Sequence, residues 1–250
     1  MKSIWISNKA YLPFIQFVVT AVTLSTLFFD FSWNWLFVSL GVYCLIASLG
    51  ISVGYHRYFT HRTFKLRQNW MKWIMLWLGC LAGTGSPIIW AAVHRHHHKH
   101  SDLSEDPHSP HNLGIKTFIA DYQYIWHPYS VKDLIKDPVQ RFVHQWYYLL
   151  LVVWLLCAAI INVNLALYGV VIPMTMMVWI STASSYFTHR FGYVSYKTND
   201  NSRNLWWMAL ITFGEGWHNN HHASPGSYTF NRKWWELDIG GLIIRYALKI

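Results

Sequence analysis

Four runs of mostly apolar residues, 11–29, 35–53, 147–168 and 169–186, constrain this chain more than any other feature. Each is close to the roughly 20 residues a helix needs to cross about 30 Å of hydrocarbon. None holds Asp, Glu, Lys, Arg or His in its interior. Only 12% of the 250 residues are charged while 53% are hydrophobic. That balance leaves too little polar surface for a soluble domain and is the reverse of a disordered chain. The expected fold class is therefore an all-α membrane protein, one integral-membrane domain over residues 1–250 with four transmembrane helices.

A fifth apolar stretch, 70–92, is long enough to span, but Gly79, Gly83, Gly85 and Pro87 interrupt it. With only four spans, all 20 Lys and Arg fall on one side, Lys2 and Lys9 included, and the two opposite loops carry none. The positive-inside rule makes that side cytoplasmic, so the chain reads as multi-pass, with 70–92 lying at the interface or re-entering. The net charge of +9 does not signal nucleic acid, because the basic residues are scattered between apolar runs instead of lining one polar face. Cys44, Cys80 and Cys157 each sit in apolar sequence without CxxC spacing, which argues for packing and not for disulfides.

The 15 histidines are the unusual count, and they fall in tight groups. HRYFTH covers 56–61, HRHHHKH covers 94–100, and HNNHH covers 218–222. HxxHH occurs twice, as His94, His97, His98 and as His218, His221, His222. Positions i, i+3 and i+4 share a helical face, so each triplet is expected to aim three imidazoles at one locus. His56 and His61, five apart, diverge on an ideal α-helix, so the second span should end or unwind there. Imidazole suits iron, zinc, copper or nickel. Eight such ligands exceed the three or four of a single zinc site, so two metal ions are expected. An expression tag would be terminal and contiguous, which these groups are not. His96, His100, His108, His111, His127 and His144 lack the matching spacing and suit loop, interface or supporting roles.

The boxes HRYFTH, HRHHHKHSD and HNNHH, with GISVGYHR, the DPH at 106–108 and GEGWHNNHH, resemble those of the membrane fatty acid desaturases, the delta-9 stearoyl-CoA desaturase type in particular. The resemblance runs from about residue 40 to 230. It implies four spanning helices under a cytosolic cap holding two iron ions. It also implies nine ligands: His56, His61, His94, His97, His98, His218, His221 and His222, with His189 matching the ninth. Ser185 stands where the family often has an Asn supporting a metal-bound water. Ala92 and Val93 stand where acyl-CoA desaturases carry an Arg-Asp pair, which leaves coenzyme A, acyl carrier protein or a lipid as carrier. Asp102, Asp106 and Glu215, beside the boxes, are candidates to accept the second N–H of ligating imidazoles.

An unactivated methylene has no acidic proton and no leaving group, so side-chain acid–base chemistry does not remove its hydrogens, whereas a redox metal with O2 does. The expected reaction is O2-dependent insertion of a cis double bond into a saturated fatty acyl chain. The sequence shows no haem, flavin or iron–sulfur motif, so two electrons must come from an external donor of ferredoxin or cytochrome b5 type. A di-iron hydroxylase would use a similar site but insert oxygen. A metal-binding or transport protein would place ionisable groups inside the spans, and this chain has none there.

Overall fold

The computed structural model describes residues 11–119 and 128–249; Lys2, Lys9 and His127 lie outside them. Four helices are long and apolar enough to cross a membrane: α1 (Leu12–Phe29, within the helix Tyr11–Phe29), α2 (Trp33–Thr60), α5 (Pro138–Ile161) and α6 (Val163–Thr188). Between α2 and α5 lie α3 (Met71–Leu81) and α4 (Pro87–His100), and three short helices follow α6: α7 (Trp206–Ile211), α8 (His218–Ala223) and α9 (Ile239–Leu248). No β-strand is formed among the described residues, only isolated bridges.

Local signals explain most boundaries. Asp137 caps α5, its carboxylate accepting from Val139 N at 2.9 Å, and Pro138 occupies the first turn, where a missing N–H costs nothing. The break between α5 and α6 falls at Asn162, whose extended backbone and side chain, accepting from Asn164 N, start the next helix. Residues 163–168, expected in the third segment, thus belong to the fourth helix, and α5 begins nine residues earlier than the apolar run suggested. Stretch 70–92 is broken in two. Gly83 (φ +71°) and Gly85 (φ +102°) turn the chain in conformations that L side chains disfavour, and Ser86 with Pro87 opens α4. The resulting 11-residue α3 is about half the length of a span.

The second helix ends within the His56–His61 box, as expected, with His61 as its C-cap, but it reaches that end as a π-helix running from Ile46 to Thr60. The i→i+5 bonding of that form brings positions five apart toward one face, where an α-helix would set them about 140° apart.

Polar contacts tie the long helices together. Thr23 pairs with Thr175 (2.9 Å) and Trp179 Nε1 donates to Thr20 (2.8 Å), joining α1 to α6. Tyr168 on α6 donates to Asp30 O (2.6 Å) and accepts from Ser32 N (3.0 Å), holding the α1–α2 turn. The outward faces remain apolar: Phe28 is 81% and Ile160 is 85% exposed. Large side chains of this kind, repeated along α1 and α5, form a surface suited to lipid.

α3 packs antiparallel on the π segment of α2 at nearly backbone distance. A Cβ on Gly50 would lie 2.7 Å from Gly79 N and Leu78 C, one on Gly54 would lie 2.8 Å from Met75 Cβ, and one on Gly79 would enter the Tyr55 ring. Gly50→Val is therefore expected to force the pair apart at a cost of about 1–3 kcal/mol or more. Thermal unfolding of the variant in detergent should begin several degrees below the parent; an unchanged midpoint would contradict this packing.

Candidate metal centre

The π segment of α2, the last turns of α4, the C-terminus of α6 and α8 meet at one end of the bundle. They place nine histidines in two adjoining groups. His56, His61, His94, His98 and His221 form one; His97, His189, His218 and His222 form the other; within each, the nitrogens lie within 4.8 Å of one another. The groups share a wall, with the His98 and His222 rings stacked at 4.4 Å.

Neither HxxHH triplet converges on one locus, as the spacing suggested. On α4 the i, i+4 pair His94 and His98 enters the five-membered group and His97 enters the other. On α8 the division is reversed: His218 and His222 go together and His221 crosses over. The reason is angular, since i+3 and i+4 lie about 100° apart around a helix, enough to address two neighbouring points.

In the five-membered group, Nε2 contacts run His56–His221 (2.9 Å), His221–His98 (2.8 Å), His98–His94 (3.0 Å) and His94–His61 (3.0 Å). Each Nε2 has one proton or one lone pair, so at most two of these four contacts are hydrogen bonds and the others lack a free proton or a free lone pair. In the other group, His189 Nε2 faces His218 Nε2 at 3.1 Å, while the buried Nε2 atoms of His97 and His222 have no hydrogen-bond partner. A cation at the centre of each group would resolve both problems by accepting the inward lone pairs of its histidines. The donor sets fit a metal ion.

The outer nitrogens are held by carboxylates. His97 Nδ1 donates to Asp106 (2.9 Å), His189 Nδ1 to Asp102 (2.9 Å), His222 Nδ1 to Asp200 (2.6 Å), and His56 Nδ1 pairs with Glu215. A carboxylate on Nδ1–H leaves the Nε2 lone pair facing inward. Burial, then the neighbouring imidazoles, push the titration of His94, His97, His98, His218 and His221 well below the ordinary histidine value, and that of His61 to about 2. These rings stay neutral, which is the ligating form. Burial alone would raise the Asp102 carboxyl, but His189, Ser109 and Asn201 hold it at about 2. Burial likewise opposes ionisation of Glu215, yet His56, Arg57 and Ser52 keep it below the usual carboxylate range.

Three supporting residues carry no spacing signal in the sequence. Asp200 lies 22 positions before His222. Asn219 and Asn220, inside HNNHH, point away from the clustered histidines. Asn219 accepts from Ser195 N and Tyr196 N (both 2.8 Å), and Asn220 donates to Glu236 (2.9 Å) and Phe230 O (2.9 Å), joining the surrounding loops to α8. Of the other histidines, His108 lies tilted against His97 with ring centroids 4.2 Å apart, His111 donates to His189 O (3.0 Å), and His144 pairs with Ser86 (2.7 Å). Ser185 lines a cavity that runs from His56, His94, His97 and His218 between α2, α4 and α6, with Ala47 and Met177 on its walls.

The fold and site define a class: a helical bundle of membrane-spanning length with two histidine-only pockets at one end. Comparison with known proteins narrows it. The fatty acid desaturase family model matches residues 33–239. The "sn-1 stearoyl-lipid 9-desaturase" of Anabaena variabilis is 34% identical over 224 residues, covering 86% of this chain and 81% of that protein. The "Delta-9 acyl-lipid desaturase 1" of Arabidopsis thaliana is 36% identical over 232 residues (87% and 73%), and the "Hex-5-enoyl-[acyl-carrier protein] acetylenase" of Moorena producens 34% over 231 (82% and 71%). The chain belongs to the fatty acid desaturase family, oxidoreductases that desaturate fatty acyl chains.

Arg57, fully buried beside His56, makes a two-pronged pair with Asp238 (2.9 and 3.1 Å) and reaches Glu215 at 3.3 Å. Arg57→Met strands the buried Asp238 carboxylate and removes a partner of half-buried Glu215, and removing one partner of a buried pair costs about 3–5 kcal/mol. Urea or thermal denaturation should report that loss; a change below about 1 kcal/mol would show the carboxylates to be otherwise satisfied.

Proposed function

We propose that this protein is a di-iron acyl desaturase of the membrane that places a cis double bond, at the delta-9 position, in a saturated chain carried on a lipid. One observation supports it above all: nine imidazoles from four helices divide into pockets of five and four, with their Nε2 atoms turned inward. His56, His61, His94, His98 and His221 would hold one ion, and His97, His189, His218 and His222 the other. A redox metal pair with O2 supplies the chemistry side chains lack. One hydrogen leaves each of two adjacent methylenes, and O2 becomes two waters with two further electrons and two protons from outside. The electrons come from a separate donor of ferredoxin or cytochrome b5 type.

The protein's own residues do the positioning. Asp102, Asp106, Asp200 and Glu215 hold the imidazoles in the ligating tautomer. The cavity between α2, α4 and α6 receives the acyl chain, its apolar walls excluding water from the methylenes beside His56 and His97. Ser185, in the place of the family's Asn, lines this cavity, where its hydroxyl would be available to hold a water. A lipid carrier fits Ala92 and Val93, which are buried in α4 and present no charge to a nucleotide. Acyl-lipid names among the relatives support the same choice. The four long helices cross the bilayer, with the histidines at its cytoplasmic face.

Expression in cells supplied with saturated C16–C18 acids, beside a His97→Ala, His221→Ala variant that removes one ligand from each pocket, tests this reading. A new monounsaturated acid is expected only from the parent. Hydroxylated chains without alkenes would move the protein to the oxygen-inserting class, and equal alkene levels from both would make the histidines dispensable.

A further inference from the structure

The carboxylates are unevenly shared between the pockets. Among the described residues, three of the four histidines in the smaller pocket have one on Nδ1, against His56 alone in the larger. Two of those three supports pass through a single loop, residues 198–202. Asp200 Oδ2 accepts from His222, and its Oδ1 accepts from Thr198 Oγ1 (2.8 Å), Ser202 N (3.0 Å) and Ser202 Oγ (2.5 Å), so the carboxylate has little freedom to turn. The next residue, Asn201, donates its N–H (2.8 Å) and its side-chain amide (3.2 Å) to Asp102 Oδ2, the oxygen that also accepts from His189. Asn219, between His218 and His221, anchors the loop through Ser202 Oγ (3.4 Å) and the chain just before it through Tyr196 O (3.0 Å). One five-residue segment thus orients two ligands of the same pocket, on α6 and α8, that lie 33 residues apart in sequence.

We propose that Asp200 is a positioning residue for the four-histidine metal site, and that the 198–202 loop sets the affinity of that site independently of its neighbour. The proposal rests on the reading that the two pockets hold metal. A carboxylate on Nδ1–H fixes the ring's tautomer, aims Nε2 and raises its basicity, and losing such a partner commonly weakens metal binding 10–100-fold. The five-histidine pocket takes its carboxylate from Glu215, backed by Ser52 (2.5 Å) and Arg57 (3.3 Å), and these stand apart from the loop.

The test is titration of purified, metal-stripped full-length protein with cobalt(II), counting ions per chain from visible absorption and elemental analysis, beside the melting temperature of the metal-free protein. The parent should bind two ions. Asp200→Asn should keep one near parental affinity and bind the other at least tenfold more weakly, with metal-free melting little changed. Asp200→Glu, which retains the charge, should recover part of the loss. Asp102→Asn should reproduce the selective loss through His189, and decides the matter where Asp200→Asn does not accumulate. Two ions at parental affinity in both Asn variants overturn the proposal. So does joint loss of both ions with a lowered metal-free melting point, which assigns the loop a structural role. A parent that binds fewer than two ions refutes the underlying two-metal reading instead.

Discussion

Imidazole nitrogens directed at one another are the constraint on which the structure depends. Five Nε2 atoms linked in sequence at 2.8–3.0 Å do not satisfy themselves by hydrogen bonding, and the buried Nε2 atoms of His97 and His222 have no partner at all. Folding brings these groups out of water into one place, which is unfavourable unless a cation completes the arrangement. The carboxylates behind the rings make the same statement from outside. Asp102, Asp106, Asp200 and Glu215 take the Nδ1 protons and leave the inner nitrogens as donors of electron pairs.

The bundle serves that convergence. The π segment of α2 turns His56 and His61 toward one face, and the glycine contacts with α3 let that segment lie against its neighbour. The break at Gly83–Pro87 redirects the chain so that α4 presents His94, His97 and His98 at the end of the bundle where α2 finishes. From α5, Tyr147 holds this break, bonding Gly85 N and Cys80 O (both 3.2 Å). Membrane-scale helices therefore fix the height and direction of the histidines, while the loops after α6 orient individual rings.

The sequence made the apolar helices and all nine histidines legible, because length without charge and HxxHH spacing are local signals. Their partition between two pockets was not legible. A spacing of three and four says which residues share a broad face, but not whether that face addresses one point or two. Asp102, Asp106 and Glu215 were within reach of sequence reasoning because they border the boxes. Asp200 was not, since its contact with His222 closes a 22-residue loop without periodic pattern. Asn219 and Asn220 were hidden for the opposite reason, standing inside a motif whose chemistry belongs to its histidines. The turn between α5 and α6 is marked in the sequence by the polar patch Asn162–Asn164, and the bound at 168 overran it because the residues beyond Asn164 are apolar again.

The central claim is that the two histidine groups are two metal sites. Anomalous diffraction at the iron absorption edge, from crystals of the protein purified without added metal, addresses it most directly. Two peaks are predicted, one enclosed by His56, His61, His94, His98 and His221 and the other by His97, His189, His218 and His222. A single peak shared between the groups, or peaks away from the Nε2 atoms, would contradict the account.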